Sequence, residues 1–566
     1  MSPAGPATSR PVAASIHGLE LSVDGTRLHV TGTCRRDAAE GAHPADDVVR
    51  LHLADASGRR RLTVDTVPAA RFENGARRWT GFTAEVPVSD IPDGSTYPTL
   101  EVVSSHEPAV EVPAMASDGM VASSRPLVSG VRSIQGVPTR DDRTELVAGR
   151  TGATRWAMAR RDLGDLVRRR PFARARIARF VTRPLVPRGP IWLFGERADT
   201  ARDNGFHAFA HVCRERPDVR AYYVIDPASD QRVRVAALGR VVAHSSWRHR
   251  VLMLHAEVLA NAYSIKHMLP RQWDPTAYVR GLAWRTGAFR VYLKHGINLN
   301  TTELRRRIGG YDLYLTATPG ETAAARETSG YDRQVVETGL PRYDALVPAP
   351  RSRTILFMPT WRLYLAPKLF SGSAKGSVPF EGSTYQRFVV DLLTSPRLLH
   401  LLDEHDHRLQ LLPHYNLRDH LADAPVASSR VEVLDGAAAD IQDVLRACDL
   451  LVTDHSSVQF DVAYLGTPVV YAQFDEEEYR ERHAAPSWFD VERDGFGPVV
   501  HDLEATIDAI AHYLDRDCSR EPDYDARAER TFTHRDRDNS RRTVEAIEAL
   551  TQRGDQRAPN APDVAL

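Results

Sequence analysis

The sequence predicts an α/β fold, a pair of Rossmann-like halves facing a cleft, preceded by a small all-β domain. Three observations carry this expectation. From residue 190 onward, short apolar runs of strand length alternate with helical stretches, the pattern of parallel sheets covered on both faces. The alternation restarts after Pro348, Ala349 and Pro350, so it forms two successive series. Before residue 115 the pattern is different: short strand-like runs are separated by frequent turn residues, as in a small β-sandwich.

Taken in order, residues 1–14 are rich in Pro, Ala and Ser and are expected to be disordered. A β-sandwich-like accessory domain is expected over 15–115. Its first hairpin is marked by Asp24-Gly25 between two alternating runs. Residues 116–188 are expected to be a polar linker followed by a basic amphipathic helical segment. Eleven arginines stand in 155–188 against two aspartates, interleaved with Trp156, Met158, Leu163, Leu166, Val167, Phe172, Ile177 and Phe180. Such a helix can lie on an anionic bilayer with its apolar face in the interface. An interdomain helix whose arginines pair with carboxylates is the alternative.

The two Rossmann-like halves are expected over 189–349, as the acceptor side, and 350–552, as the donor side. A disordered tail would occupy 553–566. With 566 residues and roughly 100–200 residues per domain, this division is unforced. Cys34, Cys213, Cys448 and Cys518 are far apart and suit a reducing compartment without a zinc or disulfide framework. No apolar run approaches the roughly 18 residues of a membrane-crossing helix, and the N-terminus lacks the apolar core of a signal peptide. The formal net charge of -1, with no recognition module, argues against a nucleic-acid partner.

The most informative stretch is Thr453-Asp454-His455-Ser456-Ser457. It is predicted to be the turn between a buried strand and a new helix. Ligands of open α/β sheets bind at the carboxyl ends of strands. Serine hydroxyls, backbone N–H groups and the helix dipole converge there on a site suited to a pyrophosphate. N-capping alone needs only one of these residues. Two histidine-bearing turns come next. His295, followed by Gly296, ends a strand of the first series, where an imidazole can serve as general base for an acceptor hydroxyl. His414 ends a strand of the second series. Arg362 ends the first strand of that series and is a candidate bidentate phosphate contact. Asp475 and Glu478 follow another strand end and are candidates for ribose hydroxyls, although carboxylates also gather at helix starts.

Together, Leu293-Lys294-His295-Gly296-Ile297, Thr338-Gly339-Leu340-Pro341-Arg342, Met358-Pro359-Thr360-Trp361-Arg362, Thr453 to Ser457, Phe460-Asp461, Phe489-Asp490 and Gly495-Phe496-Gly497-Pro498 resemble the CDP-glycerol:polyol-phosphate glycerophosphotransferases. These are the teichoic-acid and capsule polymerases and primases. The resemblance covers about 192–514, and Asp203 and Asn204 also look like the family. It implies a GT-B-type fold and transfer of glycerol phosphate, or another alditol phosphate, from a CDP-alditol with release of CMP. No metal or other cofactor is implied. By this analogy His295 is the base, His414 steadies the donor phosphate, and Arg362, Thr453, Asp454, Ser456 and Ser457 hold the pyrophosphate. Gly296, Asp203 and Asn204 are structural or acceptor-side. The acceptor would be a lipid-linked wall or capsule polymer, met at the inner face of the plasma membrane, where residues 155–188 would hold a peripheral, cytoplasmic enzyme. His455 stands where the family commonly has Tyr. Two rivals stay open: a GT-B glycosyltransferase using a nucleotide sugar, and a non-catalytic binder of wall polymer. The sequence does not indicate an oligomeric state.

Overall fold

The structure, a computed structural model, describes residues 12–37, 48–74, 77–103, 109–186, 188–300, 304–366, 378–436, 440–482 and 487–555. The expectation of disorder at 1–14 and 553–566 lies mostly outside these residues. Within them, 12–14 belong to the strand Val12–Leu21, and 553–555 end the helix Asn539–Asp555.

Two parallel sheets form the α/β part. The first runs, in spatial order, Arg240–Ala243, Arg220–Ile225, Ile191–Gly195, Val258–Asn261, Phe289–Tyr292, Leu313–Thr316 and Val335–Glu337. The second runs Val431–Val433, Arg408–Leu411, Thr354–Met358, Leu450–Thr453, Val469–Ala472 and Val499–Val500. Each is in Rossmann order: the chain first winds outward from its founding strand, then returns to that strand's other side. The reversal lies between Ile191–Gly195 and Val258–Asn261 in the first sheet, and between Thr354–Met358 and Leu450–Thr453 in the second. A crevice opens at the carboxyl ends of such a strand pair, and there open α/β sheets bind ligands. The strands Ile191–Gly195, Val258–Asn261, Leu313–Thr316, Leu450–Thr453 and Val469–Ala472 are buried from end to end, as continuous apolar runs between two helical layers require. The two halves also share a core, in which Ile297, Leu340 and Tyr343 pack with Leu356, Phe460 and Phe496.

Ahead of them, eleven strands between residues 12 and 150 join one hydrogen-bonded network. The Asp24-Gly25 hairpin forms as expected, with Gly25 at φ 71°. Residues 116–150 are not a linker. They hold a short helix, Asp118–Ser123, and three strands, of which Thr144–Arg150 pairs with Gly94–Val103. Ile134, Val137, Leu146 and Ala148 are buried there, but they are interspersed with Ser133, Gln135, Thr144 and Glu145, so composition alone reads as a linker. Residues 155–188 form the helices Thr151–Val167 and Ala173–Thr182. Part of their arginine excess is paired inward: Arg161 with Glu145, and Arg176 with Asp162 and Asp165.

The last helix departs from the expected boundary at 552. Asn539–Asp555 crosses back and covers the first sheet, burying Val544 and Ile547 against Trp192, Phe209 and Leu313. Asp344 receives the amides of Asn539 and Ser540 at its start. Its amphipathic pattern fits either sheet, and only the path of the chain decides which one it covers. Among the described residues, no helix is long and apolar enough to cross a membrane.

Candidate active site

The strand Phe289–Tyr292 delivers Lys294, His295 and Gly296 to the carboxyl end of the first sheet. Lys294 has φ 64°, a left-handed conformation that a side-chain-bearing residue adopts only when its surroundings enforce it. The enforcement is visible. The Lys294 ammonium is fully buried against Glu321, and its carbonyl accepts from Asn204 Nδ2 at 2.8 Å. Burial lowers the Lys294 pKa, and Glu321 opposes that shift. His295 is thereby turned outward, and its ring stacks on Tyr263 with centroids 4.7 Å apart and planes 8° apart.

Opposite, the strand Leu450–Thr453 ends in the turn that starts the helix Val458–Leu465. Four of its polar residues, Thr453, Asp454, Ser456 and Ser457, divide into two pairs. Thr453 and Asp454 point inward and are fully buried. Thr453 Oγ1 donates to the Met358 carbonyl at 2.7 Å, and Asp454 Oδ1 accepts from the amide of Thr360 at 2.8 Å. Both contacts tie the turn across the switch point. Ser456 and Ser457 face outward. Among the described residues no acceptor engages their amides, and the Ser457 hydroxyl does not cap the helix that follows it. These donors lie at the positive end of the helix, the end whose dipole favours an anion.

Arg362 does not present its guanidinium to a phosphate. It is fully buried, forms a two-pronged bond to Asp475 at 2.6 and 2.7 Å, and lies 2.8 Å from Asp454. Burial opposes its charge, but Asp454 and Asp475 outweigh it and raise the pKa. Asp475 is likewise committed, to Arg362 and to the Tyr364 hydroxyl at 3.1 Å, and is not open to a ribose. Thus Arg362, Thr453, Asp454 and Asp475, expected as ligand contacts, form the support beneath the turn. The sequence shows them as polar residues at strand ends; only packing distinguishes a buried ion pair from a presented one. Glu478 is partly exposed and pairs with Arg482 at 2.9 Å along its helix. His455 stacks on Tyr479 at 3.7 Å with planes 6° apart, and burial lowers its pKa. His414 follows the strand Arg408–Leu411 and stacks on Trp361 at 5.8 Å. Its Nδ1 accepts the Asn416 amide at 3.3 Å, so the neutral ring carries its proton on Nε2.

The two strand ends meet. A Cβ on Gly296 would lie 3.5 Å from Ser457 Oγ, so the histidine turn of one half abuts the serine turn of the other. Arg342 holds this junction and was not singled out as a site residue from the sequence. Its guanidinium bonds both oxygens of Asp461, on the serine-bearing helix, at 2.7 and 2.9 Å. It also bonds Asp203 at 2.8 Å and the His295 carbonyl. Its amide donates to Asn204 at 2.9 Å. Asp203 meanwhile caps the helix Asn204–Glu215. Burial raises the pKa of both Asp203 and Asp461, and Arg342 opposes the shift. The sequence offered only the Gly339 to Arg342 motif itself; that its arginine is buried against Asp203 and Asp461 shows only in the fold. Among the described residues, no group of three or more His, Cys, Asp or Glu side chains is placed to hold a metal ion.

The TagF wall teichoic acid polymerase structure superposes with a TM-score of 0.50 over 71% of this chain and 99% of that one, at 16% identity, which shows a shared α/β GT-B-like fold. The Bacillus subtilis minor teichoic acid biosynthesis protein GgaB is 27% identical over 368 residues, 64% of this chain and 40% of its own. A Staphylococcus aureus teichoic acid glycerol-phosphate transferase is 25% identical over 224 residues, 35% of this chain and 51% of its own. The chain thus spans about half, or less, of the curated relatives it matches. The sequence pattern of CDP-glycerol:poly(glycerophosphate) glycerophosphotransferases matches residues 176–549. The chain belongs to the CDP-glycerol:poly(glycerophosphate) glycerophosphotransferase family.

Proposed function

We propose that the protein transfers a glycerol-phosphate or related alditol-phosphate unit from a CDP-alditol to a hydroxyl of a lipid-linked wall or capsule polymer, releasing CMP. The observation that carries this reading is the contact of the His295-Gly296 turn with Ser457. It sets a base-bearing strand end against an anion-binding helix start, the two components that attack on a phosphorus needs. In this reading Ser456 and Ser457, with the amides at the helix start, hold the pyrophosphate. His295 takes the proton of the acceptor hydroxyl. The hydroxyl oxygen bonds to the phosphorus nearer the alditol, the bond from that phosphorus to the bridging oxygen breaks, and CMP leaves with the electron pair. His414 donates from Nε2 to the departing phosphate. The reaction uses no metal ion, so a chelator should leave turnover intact.

The strands of residues 12–150 are read as an all-β accessory domain. The helices of residues 151–182 are read as the membrane-facing surface, at the inner face of the plasma membrane. They expose Trp156, Leu163, Val167, Phe180 and Val181 beside their arginines, the composition of an interfacial helix. Incubation with CDP-glycerol, CDP-ribitol and a panel of nucleotide sugars tests the central reading. A phosphodiester product from a CDP-alditol is expected, and turnover with a sugar nucleotide alone would overturn it.

A further inference from the structure

A second cavity, of about 690 Å³, lies away from the facing strand ends. One wall is the β-sheet surface around His17, Thr31, Thr33 and Thr83. The other is made of residues 305–307 and 326–334 of the first α/β half. Both of these segments lead into parallel strands, Leu313–Thr316 and Val335–Glu337, at their amino ends. His295 stands at the carboxyl end of the same sheet. Strands of three and four residues separate the two ends by roughly 10–13 Å, so a group bound in this cavity is not the reacting unit.

The cavity is built on a fixed junction. Gly119 and Gly310 bring the two backbones so close that a Cβ at either position would collide with the opposite main chain. Arg280 Nη1 donates to the Ala116 carbonyl at 2.8 Å, and Gln135 Nε2 donates to that of Trp284 at 2.6 Å. A β-bulge shapes the floor. Pairing slips between Ile16 and Gly18, leaving His17 as the extra residue. A bulge of this kind re-aims a side chain. His17 Nε2 lies 2.9 Å from Ser15 Oγ and 3.0 Å from Thr33 Oγ1.

The charge pattern is that of a site for an anionic polyol. Three successive arginines, Arg305, Arg306 and Arg307, border the cavity together with Arg326 and Arg333. The carboxylate of Glu20 is neutralised by Arg306 and Arg333, and that of Glu85 by Arg27 at 3.2 Å. Burial, and then the charges of Arg307 and Arg306, hold His17 down to a pKa of about 3, so the floor is neutral and lies in a positive field. Arginines suit phosphate oxygens. Threonine hydroxyls, a neutral imidazole and the carboxylates of Glu327 and Asp332 suit sugar or alditol hydroxyls.

We propose that this cavity binds a phosphate-bearing polyol segment of the acceptor chain, remote from its reacting end. This rests on the transferase reading above. Holding the chain at a second point raises the effective concentration of its free end at His295. A free alditol phosphate has the same chemistry, so chain and monomer are compared directly. The test titrates the full-length protein with a synthetic glycerol-phosphate decamer, with sn-glycerol 3-phosphate, and with a neutral oligosaccharide of equal length. The wild type and R305A/R307A are compared, at low and high salt. Arg307→Glu is a second variant, at an exposed position.

The wild type should bind the decamer more tightly than the monomer, and salt should weaken that binding. Both variants should lose about tenfold or more in decamer affinity, while turnover of CDP-glycerol on a two-unit acceptor stays at the wild-type level. Equal decamer affinity in the wild type and both variants would overturn the proposal and leave the transferase reading standing. So would a neutral oligosaccharide competing as well as the decamer, and tighter binding of the monomer would reassign the cavity to a free alditol phosphate. Decamer binding that depends on Arg305 and Arg307 in a protein that turns over no CDP-alditol would support the cavity and overturn the transferase reading.

Discussion

Replacing Arg342 by leucine tests the junction on which the candidate site depends. The guanidinium bridges Asp203 and Asp461, both buried, and bonds the carbonyl of His295. Leucine fills much of the same volume but leaves two buried carboxylates facing each other without a cation. Removing one partner of a buried ion pair costs about 3–5 kcal/mol, and here one cation serves two anions, so the upper part of that range is expected. The His295 turn also loses its tie to the serine-bearing helix. A misplacement of about 1 Å in a reacting group costs on the order of a hundredfold in rate, so kcat should fall by about that factor, with a smaller change in donor KM.

Urea unfolding and initial-rate kinetics read both effects. The stability loss should depend on pH in a definite direction. Burial already raises the pKa of Asp203 and Asp461, and losing Arg342 raises them further. A carboxylate with a raised folded-state pKa takes up a proton more readily in the folded state, so the deficit is greatest at high pH, where both carboxylates are ionised, and shrinks on acidification. Arg342→Leu combined with Asp461→Asn should recover part of the loss. A single variant within about 1 kcal/mol of wild type, with unchanged kcat, would refute the reasoning.

The other predictions concern separate parts of the molecule. His295→Ala should lower kcat by about a hundred- to ten-thousand-fold, with donor affinity by equilibrium dialysis little altered; unaltered turnover would remove His295 from the mechanism. Ser456→Ala and Ser457→Ala should each raise the donor KM by roughly ten- to a hundredfold, the worth of a hydrogen bond to a charged group. Burial first lowers the pKa of His17 and His249 from 6.5 to about 3. The unfolded chain therefore binds more protons below pH 6.5, and each histidine should reduce stability by about 1.4 kcal/mol per pH unit on acidification through that window. His17→Gln should flatten the thermal-unfolding profile against pH; an unchanged slope would contradict the assignment. Trp156→Ser with Phe180→Ser should weaken sedimentation with anionic vesicles by about tenfold or more, without changing turnover on a soluble acceptor.

Much of this molecule is legible in short stretches of sequence. Runs such as Ile191–Gly195 and Leu450–Thr453 are apolar throughout, because both faces of a parallel strand are covered, and a run of five or four residues is enough to show it. His295 and Ser456 with Ser457 were identifiable as strand-end residues for the same reason. The last helix shows where such reading fails. Its amphipathic pattern predicts a covered face but carries no information about which of two sheets lies beneath it. Residues 116–150 fail differently: polar residues such as Ser133, Gln135 and Thr144 make the stretch resemble a linker, and only the strand pairing buries them.

The sequence by itself determined the alternation of strands and helices, the two series, and the turns that end them, because each follows from the period of side chains along a few residues. Tertiary structure alone decided the division of labour within those turns. Thr453 and Asp454 face inward while Ser456 and Ser457 face outward, a difference set by the packing of Met358 and Thr360 some ninety residues away. Arg362 is a support rather than a ligand contact because Asp454 and Asp475 converge on it from separate strand ends. Arg342 became central only through Asp461, 119 residues away along the chain. Charge and hydrogen-bond partners separated by such distances are chosen by the folded arrangement, and no local pattern records them.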